Sequence, residues 1–258
     1  MNKQMASVIA AVTLLALPAL ADTYPIRDLH DGETVHLKAS EKSSGADLWT
    51  STVKTYKTSF EGRPFLYVVE TGQGKYGGGG KVQSWRSESY SLIEDGHVIP
   101  YQVKQVFKDQ GGNVVSSLEK NYDRADGKVA CQINGRQKTF DFQDDLIDRE
   151  ILGLYVRNFP FGKRREVPFH LLTNEPSQYK ISLKDLGLDK IIVDDQEYLC
   201  YKLQLLLDMG AINLFSGFFP KTYFWVNAAE PHEVVRYEGL ESALGTPYIQ
   251  LDFDKSGK

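Results

Sequence analysis

Cysteine is scarce in this chain, with two in 258 residues, which excludes a small fold framed by disulfides. Positive charge is not in excess either. Thirty Lys and Arg stand against 34 Asp and Glu, a formal net charge of -4, which leaves no surplus of cations for a run of phosphates and argues against a nucleic-acid partner. The five histidines, His30, His36, His97, His170 and His232, form no H-x-x-x-H or H-x-H spacing and have no cysteine link, so no metal site or cofactor is expected. A G-x-S-x-G elbow is missing, since Ser216-Gly217 lacks a glycine two residues before the serine. Beyond the first 20 residues there is no long apolar run and no transmembrane helix is expected. What remains is ordinary globular composition, 41% apolar and 25% charged, enough to bury a core.

The amino terminus is a segment apart. Lys3 precedes an apolar stretch over residues 5–17 that leads into Ala19-Leu20-Ala21, the layout of a secretory signal peptide with an A-x-A cleavage site. Residues 1–21 are therefore read as signal peptide and residues 22–258 as a single β-rich domain, exported to the periplasm. No cysteine follows the site to carry a lipid. Export makes a disulfide chemically possible, but the strand phases oppose it. Cys131 alternates with Val129 and Ile133 on an apolar face, whereas Cys200 shares its phase with Lys202 and Gln204, opposite Leu203 and Leu205. Two separate thiols are expected.

Most of the remaining chain alternates with period two between turn residues, the pattern of antiparallel strands. The runs are 34–38, 47–60, 64–70, 81–93, 98–108, 114–122, 129–142, 165–172, 178–183, 190–207, 221–227, 233–239 and 247–253. Asp95-Gly96, Asp126-Gly127 and Asn134-Gly135 are candidate type I′ hairpin turns, and Asp194, Asp195 and Glu197 mark a turn inside the long run. One helical pattern interrupts the strands: over residues 146–157, Ile147, Ile151, Leu154 and Tyr155 fall at i, i+4, i+7 and i+8, with Asp148 near the positive dipole end and Phe159-Pro160 as a stop. A closed barrel and a two-sheet sandwich share this strand pattern. The apolar stripe of the helix favours a large curved antiparallel sheet, a half-barrel, with that one amphipathic helix packed on its concave face.

Three motifs invite a chemical reading. Gly72-Gln73-Gly74-Lys75-Tyr76-Gly77 is literally G-x-G-x-x-G, but no helix opens after it to offer amides to a pyrophosphate, and Gly78 to Gly80 continue the loop; it reads as a flexible hairpin connection. Asp141, Asp144, Asp145, Asp148 and Glu150 crowd together as a glycosidase pair requires, yet acids at a helix start already have a structural task. The basic turn at residues 162–165 reads as a solvated tip. Residues 209–220 are the most unusual connection: Ile212, Leu214, Phe215, Phe218 and Phe219 lie between glycines, where a loop is normally polar. This segment is either a turn folded over the core, or an apolar lip at the mouth of a ligand cavity or a tip that touches membrane transiently. Leu214, Phe215, Phe218 and Phe219, with Trp225 on the next strand, are the candidate ligand-binding residues.

The second half resembles a known family. Residues 145–159, the strand at 161–169, the run 190–207, Lys221-Thr222-Tyr223-Phe224-Trp225-Val226-Asn227 and Pro231-His232-Glu233-Val234-Val235-Arg236-Tyr237-Glu238-Gly239 are similar to a large family of secreted, uncharacterised bacterial all-β domains of unknown function. The resemblance covers about residues 141–253. Such domains are similar in architecture to the half-barrels of periplasmic lipoprotein carriers, which implies a cavity and a periplasmic setting but transfers no substrate. Arg236 and Glu238 match the family strand and read as members of cross-strand ion pairs.

The leading expectation is a non-catalytic binding or chaperone-like protein of the cell envelope for an apolar or amphipathic small molecule, a lipid or acylated compound. An alternative is a structural or assembly partner that docks an envelope protein. The third is a secreted polysaccharide hydrolase, which needs two carboxylates converging in a polar cleft.

Overall fold

The computed structural model describes residues 24–26, 29–208, 220–242 and 245–254. Eight strands run as a meander through the first half: β1 (Glu33–Glu41), β2 (Asp47–Phe60), β3 (Arg63–Lys75), β4 (Val82–Glu94), β5 (His97–Lys108), β6 (Val114–Asp123), β7 (Lys128–Ile133) and β8 (Arg136–Asp141). A short strand β9 (Leu146–Asp148), a 3-10 turn (Arg149–Ile151) and helix α1 (Leu152–Arg157) follow. The second meander comprises β10 (Glu166–Leu172), β11 (Gln178–Val193), β12 (Gln196–Leu207), β13 (Thr222–Asn227), β14 (Val234–Leu240) and β15 (Tyr248–Asp254).

All fifteen strands belong to one sheet in the order β8-β7-β6-β5-β4-β3-β2-β1-β15-β14-β13-β12-β11-β10-β9. Antiparallel pairing of β1 with β15 joins the two meanders, with Leu37 opposite Phe253 and Ala39 opposite Leu251. The sheet is open and strongly curved, and bulges at Tyr90/Ser91, Phe107/Lys108 and Asp185/Leu188 assist the bending. Its two ends approach without strand pairing. Side chains of β6 and β7, among them Tyr122, Val129 and Cys131, pack on Leu146 of β9 and Leu172 of β10. Both cysteines are buried free thiols, Cys131 in this cluster and Cys200 beside Trp225 in another.

Turn chemistry explains most of the hairpins. Asp95-Gly96 (φ 50° and 76°) and Asn134-Gly135 (φ 48° and 79°) adopt the two-residue left-handed turn expected of them, and Asp194-Asp195 (φ 47° and 63°) does the same without glycine. Asp126-Gly127 departs from that expectation. Only Gly127 is left-handed there, and the Asp123 carboxylate accepts a hydrogen bond from the Asp126 amide at 3.0 Å, which builds a four-residue loop instead.

The helical pattern at residues 146–157 is the larger correction. Leu146 to Asp148 are a strand, paired in parallel with His170 to Leu172, because the buried edge of β10 supplies partners for their backbone. Asp148 then caps the 3-10 turn, its Oδ1 accepting from the Glu150 amide at 2.8 Å. The stripe still faces inward. Ile147, Ile151 and Tyr155 are buried in the main cluster with Val156 and Phe159, while Leu154 is half-buried at its edge. Tyr24 and Ile26 plug the same cluster, the Tyr24 hydroxyl donating to the Tyr155 carbonyl at 2.5 Å.

Candidate functional site

Alternation puts every second side chain of the strands on the concave face, and the crossing 3-10 turn and α1 fill only part of that hollow. A cavity of about 760 Å³ remains. Val35, Val53 and Val68 form one side of its wall and Ile181, Phe224 and Leu251 the other. Tyr179, Pro220 and Lys221 line it from exposed positions, so it is open to solvent there.

Charged and polar groups interrupt this apolar wall. Glu70, Gln105, Arg149, Glu150 and Glu241 all face the cavity. The 3-10 turn delivers Arg149 and Glu150 together. Arg149 Nη1 donates to the Tyr76 hydroxyl at 3.1 Å and Nη2 to the Glu241 carbonyl at 2.7 Å. The Glu241 carboxylate accepts from Trp49 Nε1 at 2.5 Å and from the Gly77 amide at 2.7 Å, pinning the glycine-rich connection to the β14–β15 loop. Glu150 accepts from Ser87 Oγ at 2.5 Å through Oε2 and from Asn174 Nδ2 at 2.6 Å through Oε1. Behind it, fully buried Lys120 donates to Asp148 Oδ2 at 2.7 Å and to Asn174 Oδ1 at 2.8 Å, and the Tyr122 hydroxyl also donates to Asp148.

Glu70 depends on a close approach. A Cβ on Gly72 would lie 2.2 Å from Trp85 Cζ2, so glycine makes room for the indole, whose Nε1 donates to Glu70 Oε1 at 3.2 Å. Burial pushes the Glu70 carboxyl above its usual range, and the nearby Glu150 charge adds to the rise. Burial likewise raises the Glu241 carboxyl, against the opposing pull of Trp49 and Gly77. The Tyr76 phenol is raised by burial as well.

The residues expected from sequence are distributed unevenly around this site. Leu214, Phe215, Phe218 and Phe219 lie outside the described residues, although Leu207 and Pro220 on either side line the cavity. Trp225 does not line it. The alternation of β13 gives the cavity position to Phe224 and turns Trp225 to the opposite face, where it packs with Val193, Cys200 and Val235 and donates to Asp189 Oδ2 at 2.9 Å. The acidic cluster is split: Asp141 pairs with Lys128, Asp145 with His170 and Asp148 with Lys120, leaving Glu150 at the cavity. Arg236 pairs across the strands with Asp252 at 2.6 Å, whereas Glu238 pairs with Lys42, just beyond the end of β1, at 2.5 Å. The strand β3 runs on through Gly72 and Gly74 to Lys75, so the glycine-rich connection is shorter than its composition implies.

No sequence motif marks Arg149 on its 3-10 turn, nor Glu70, Gln105 and Lys120 on their strands; the last three carry one signal. Their signal is phase: Glu70 follows Leu66 and Val68, Gln105 stands between Val103 and Phe107, and Lys120 between Leu118 and Tyr122, each a polar residue on an inward-facing register.

No family model matches this chain and no curated protein matches it. The solved structures similar to it include the following three. A β-barrel-like protein of a domain of unknown function, DUF1849, from Brucella abortus has 8% identity and a TM-score of 0.48, over 88% of this chain and 98% of that one. A protein described as exported, with a YmcC-like fold, from Bacteroides fragilis has 10% identity and a TM-score of 0.36, over 91% and 98%. The hypothetical lipoprotein YmcC from Escherichia coli has 7% identity and a TM-score of 0.27, over 88% and 90%.

Proposed function

We propose that the protein binds an apolar or amphipathic small molecule, a lipid or acylated compound, in the cavity of its half-barrel, and that it does so in the periplasm without catalysing a reaction. The cavity carries the reading. Its volume of about 760 Å³ falls within the roughly 300–1,000 Å³ typical of small-molecule sites, and an apolar wall with a few polar groups is the usual chemistry of such sites. The signal-like amino terminus supports export. A hydrolase is less well supported: Glu70, Glu150 and Glu241 share the cavity, but each already accepts hydrogen bonds from protein donors, and most of the wall around them is apolar.

Mass spectrometry of organic extracts from the purified protein tests for a retained ligand. Titration with the fluorophore 1-N-phenylnaphthylamine tests the cavity directly. Val68→Trp projects an indole into the empty volume and is expected to weaken fluorophore binding roughly tenfold or more, about 1.4 kcal/mol, while the fold persists. Wild-type protein that neither retains nor captures an apolar molecule overturns the reading.

A further inference from the structure

Strand register sets three polar side chains side by side in the apolar wall. Glu70 of β3 pairs with Ser87 of β4, and Ser87 pairs with Gln105 of β5. Val53 of β2 and Leu118 of β6 flank this row. Directly opposed residues project to the same face of a sheet about 5 Å apart, so the three form a continuous polar strip. Ser87 is already committed to Glu150. Gln105 is not committed. It is 7% exposed, it lines the cavity, and its amide has no hydrogen-bond partner among the described residues. The amide is thus turned toward the cavity with its donor and acceptor both available to a molecule bound there.

The neighbours of Gln105 define what that something is. Arg149 donates to Tyr76 Oη and the Glu241 carbonyl, and its charge is compensated by Glu70, Glu150 and Glu241, which line the same cavity, so an anionic head would meet these carboxylates. A cationic head would sit beside the Arg149 guanidinium, and Glu150 already accepts from Ser87 and Asn174. Glu70 already accepts from Trp85 Nε1, whereas the Gln105 amide is neutral, uncommitted and both donates and accepts. The free group on the strip therefore matches a neutral partner that also donates and accepts.

We propose that Glu70 and Gln105 form a head-group subsite for a neutral, hydroxyl-bearing single-chain lipid of the monoacylglycerol type, with the hydrocarbon lying against Val35, Val53 and Val68. This rests on the carrier reading above. Hydroxyls match the strip because each can donate to the amide or carboxyl oxygen and accept from the Gln105 amide. Hydrocarbon beyond the head meets the apolar wall that flanks the row.

Displacement of 1-N-phenylnaphthylamine from the full-length protein separates the two claims. In the wild type, 1-monooleoylglycerol is expected to displace the fluorophore at a concentration roughly tenfold lower than methyl oleate, oleate or oleylamine. In Gln105→Leu the advantage over methyl oleate disappears while the fluorophore still binds, and Gln105→Met serves as a second variant of similar length. If the fluorophore binds the wild type but the four probes are equivalent, or if the advantage survives in Gln105→Leu, the subsite falls and the carrier reading stands. Tighter displacement by oleate or oleylamine also overturns the neutral-head assignment. If the fluorophore and all four lipids fail to bind the wild type, the carrier reading falls and the subsite with it. The wild-type ranking decides even if both variants misfold.

Discussion

Lys120 is fully buried, and its ammonium is held by Asp148 and Asn174 in the layer behind the cavity. Removing one member of a buried pair is much worse than removing both, because the survivor keeps its charge without compensation. Lys120→Met is expected to cost about 3–5 kcal/mol in urea unfolding. Adding Asp148→Asn should recover a substantial part, since the Asn oxygen still accepts from the Glu150 amide and its Nδ2 can donate to the Tyr122 hydroxyl oxygen while the charge is shed. A double variant no more stable than Lys120→Met would rule out charge burial as the cause. Glu70 makes a complementary prediction about pH. Its folded pKa is raised, so the folded state holds the proton more tightly than the unfolded chain does. Stability from this group is full below the unfolded carboxylate pKa of about 4.5 and is lost as pH rises through the folded value. Glu70→Gln removes that loss, and its stability relative to wild type should improve between pH 4 and pH 8 in parallel denaturation series. An equal difference at both pH values would contradict the raised pKa.

The individual strands were largely legible in the sequence, because a half-buried antiparallel strand writes its two faces as alternation and its ends as turn residues. β2, β5 and β13 occupy almost the expected residues. The start of the crossing segment was not legible. Leu146 and Ile147 satisfy the helical stripe and an inner strand equally, and what decides is the free edge of β10, which lies some 25 residues further along the chain. The site was obscured for a related reason: a search for motifs rewards residues close in sequence, whereas Glu70, Ser87 and Gln105 meet only through the register of three strands. The stripe itself survives the change of secondary structure, and Ile151 anchors it at 2% exposure against the main core cluster. Ile151→Ala is expected to destabilise by about 2–4 kcal/mol through lost transfer energy and the void it leaves. Because Ile151 also lines the cavity, the variant enlarges the hollow, and fluorophore binding should survive under conditions where the fold does. A melting curve identical to wild type would remove Ile151 from the core.

At the scale of the whole molecule, the seam between β1 and β15 matters most, because each meander otherwise ends in an open edge. Six residue pairs from His36–Asp254 to Glu41–Ile249 hold the seam. Ile249 is buried with Leu37, Ala39, Trp49 and Trp85, and Leu251 and Phe253 pack against that cluster. Arg236 of β14 reaches across to Asp252, tying the other side of β15. Strand β15 therefore works as a keystone: it covers the edges of β1 and β14, completes the apolar cavity wall, and buries part of the second core cluster. Deleting residues 248–258 exposes two long strand edges flanked by uncovered apolar side chains, the combination that recruits another chain. The truncated protein is expected to lose cooperative thermal unfolding and to elute as aggregate in size-exclusion chromatography. A synthetic peptide spanning residues 247–255 supplied during refolding should restore part of the monomer by adding the missing strand. Adding the peptide after aggregation should not, since the edges are then occupied by other copies. A truncated protein that remains monomeric and melts cooperatively without peptide would show that the two meanders are held together by the crossing segment rather than by the seam.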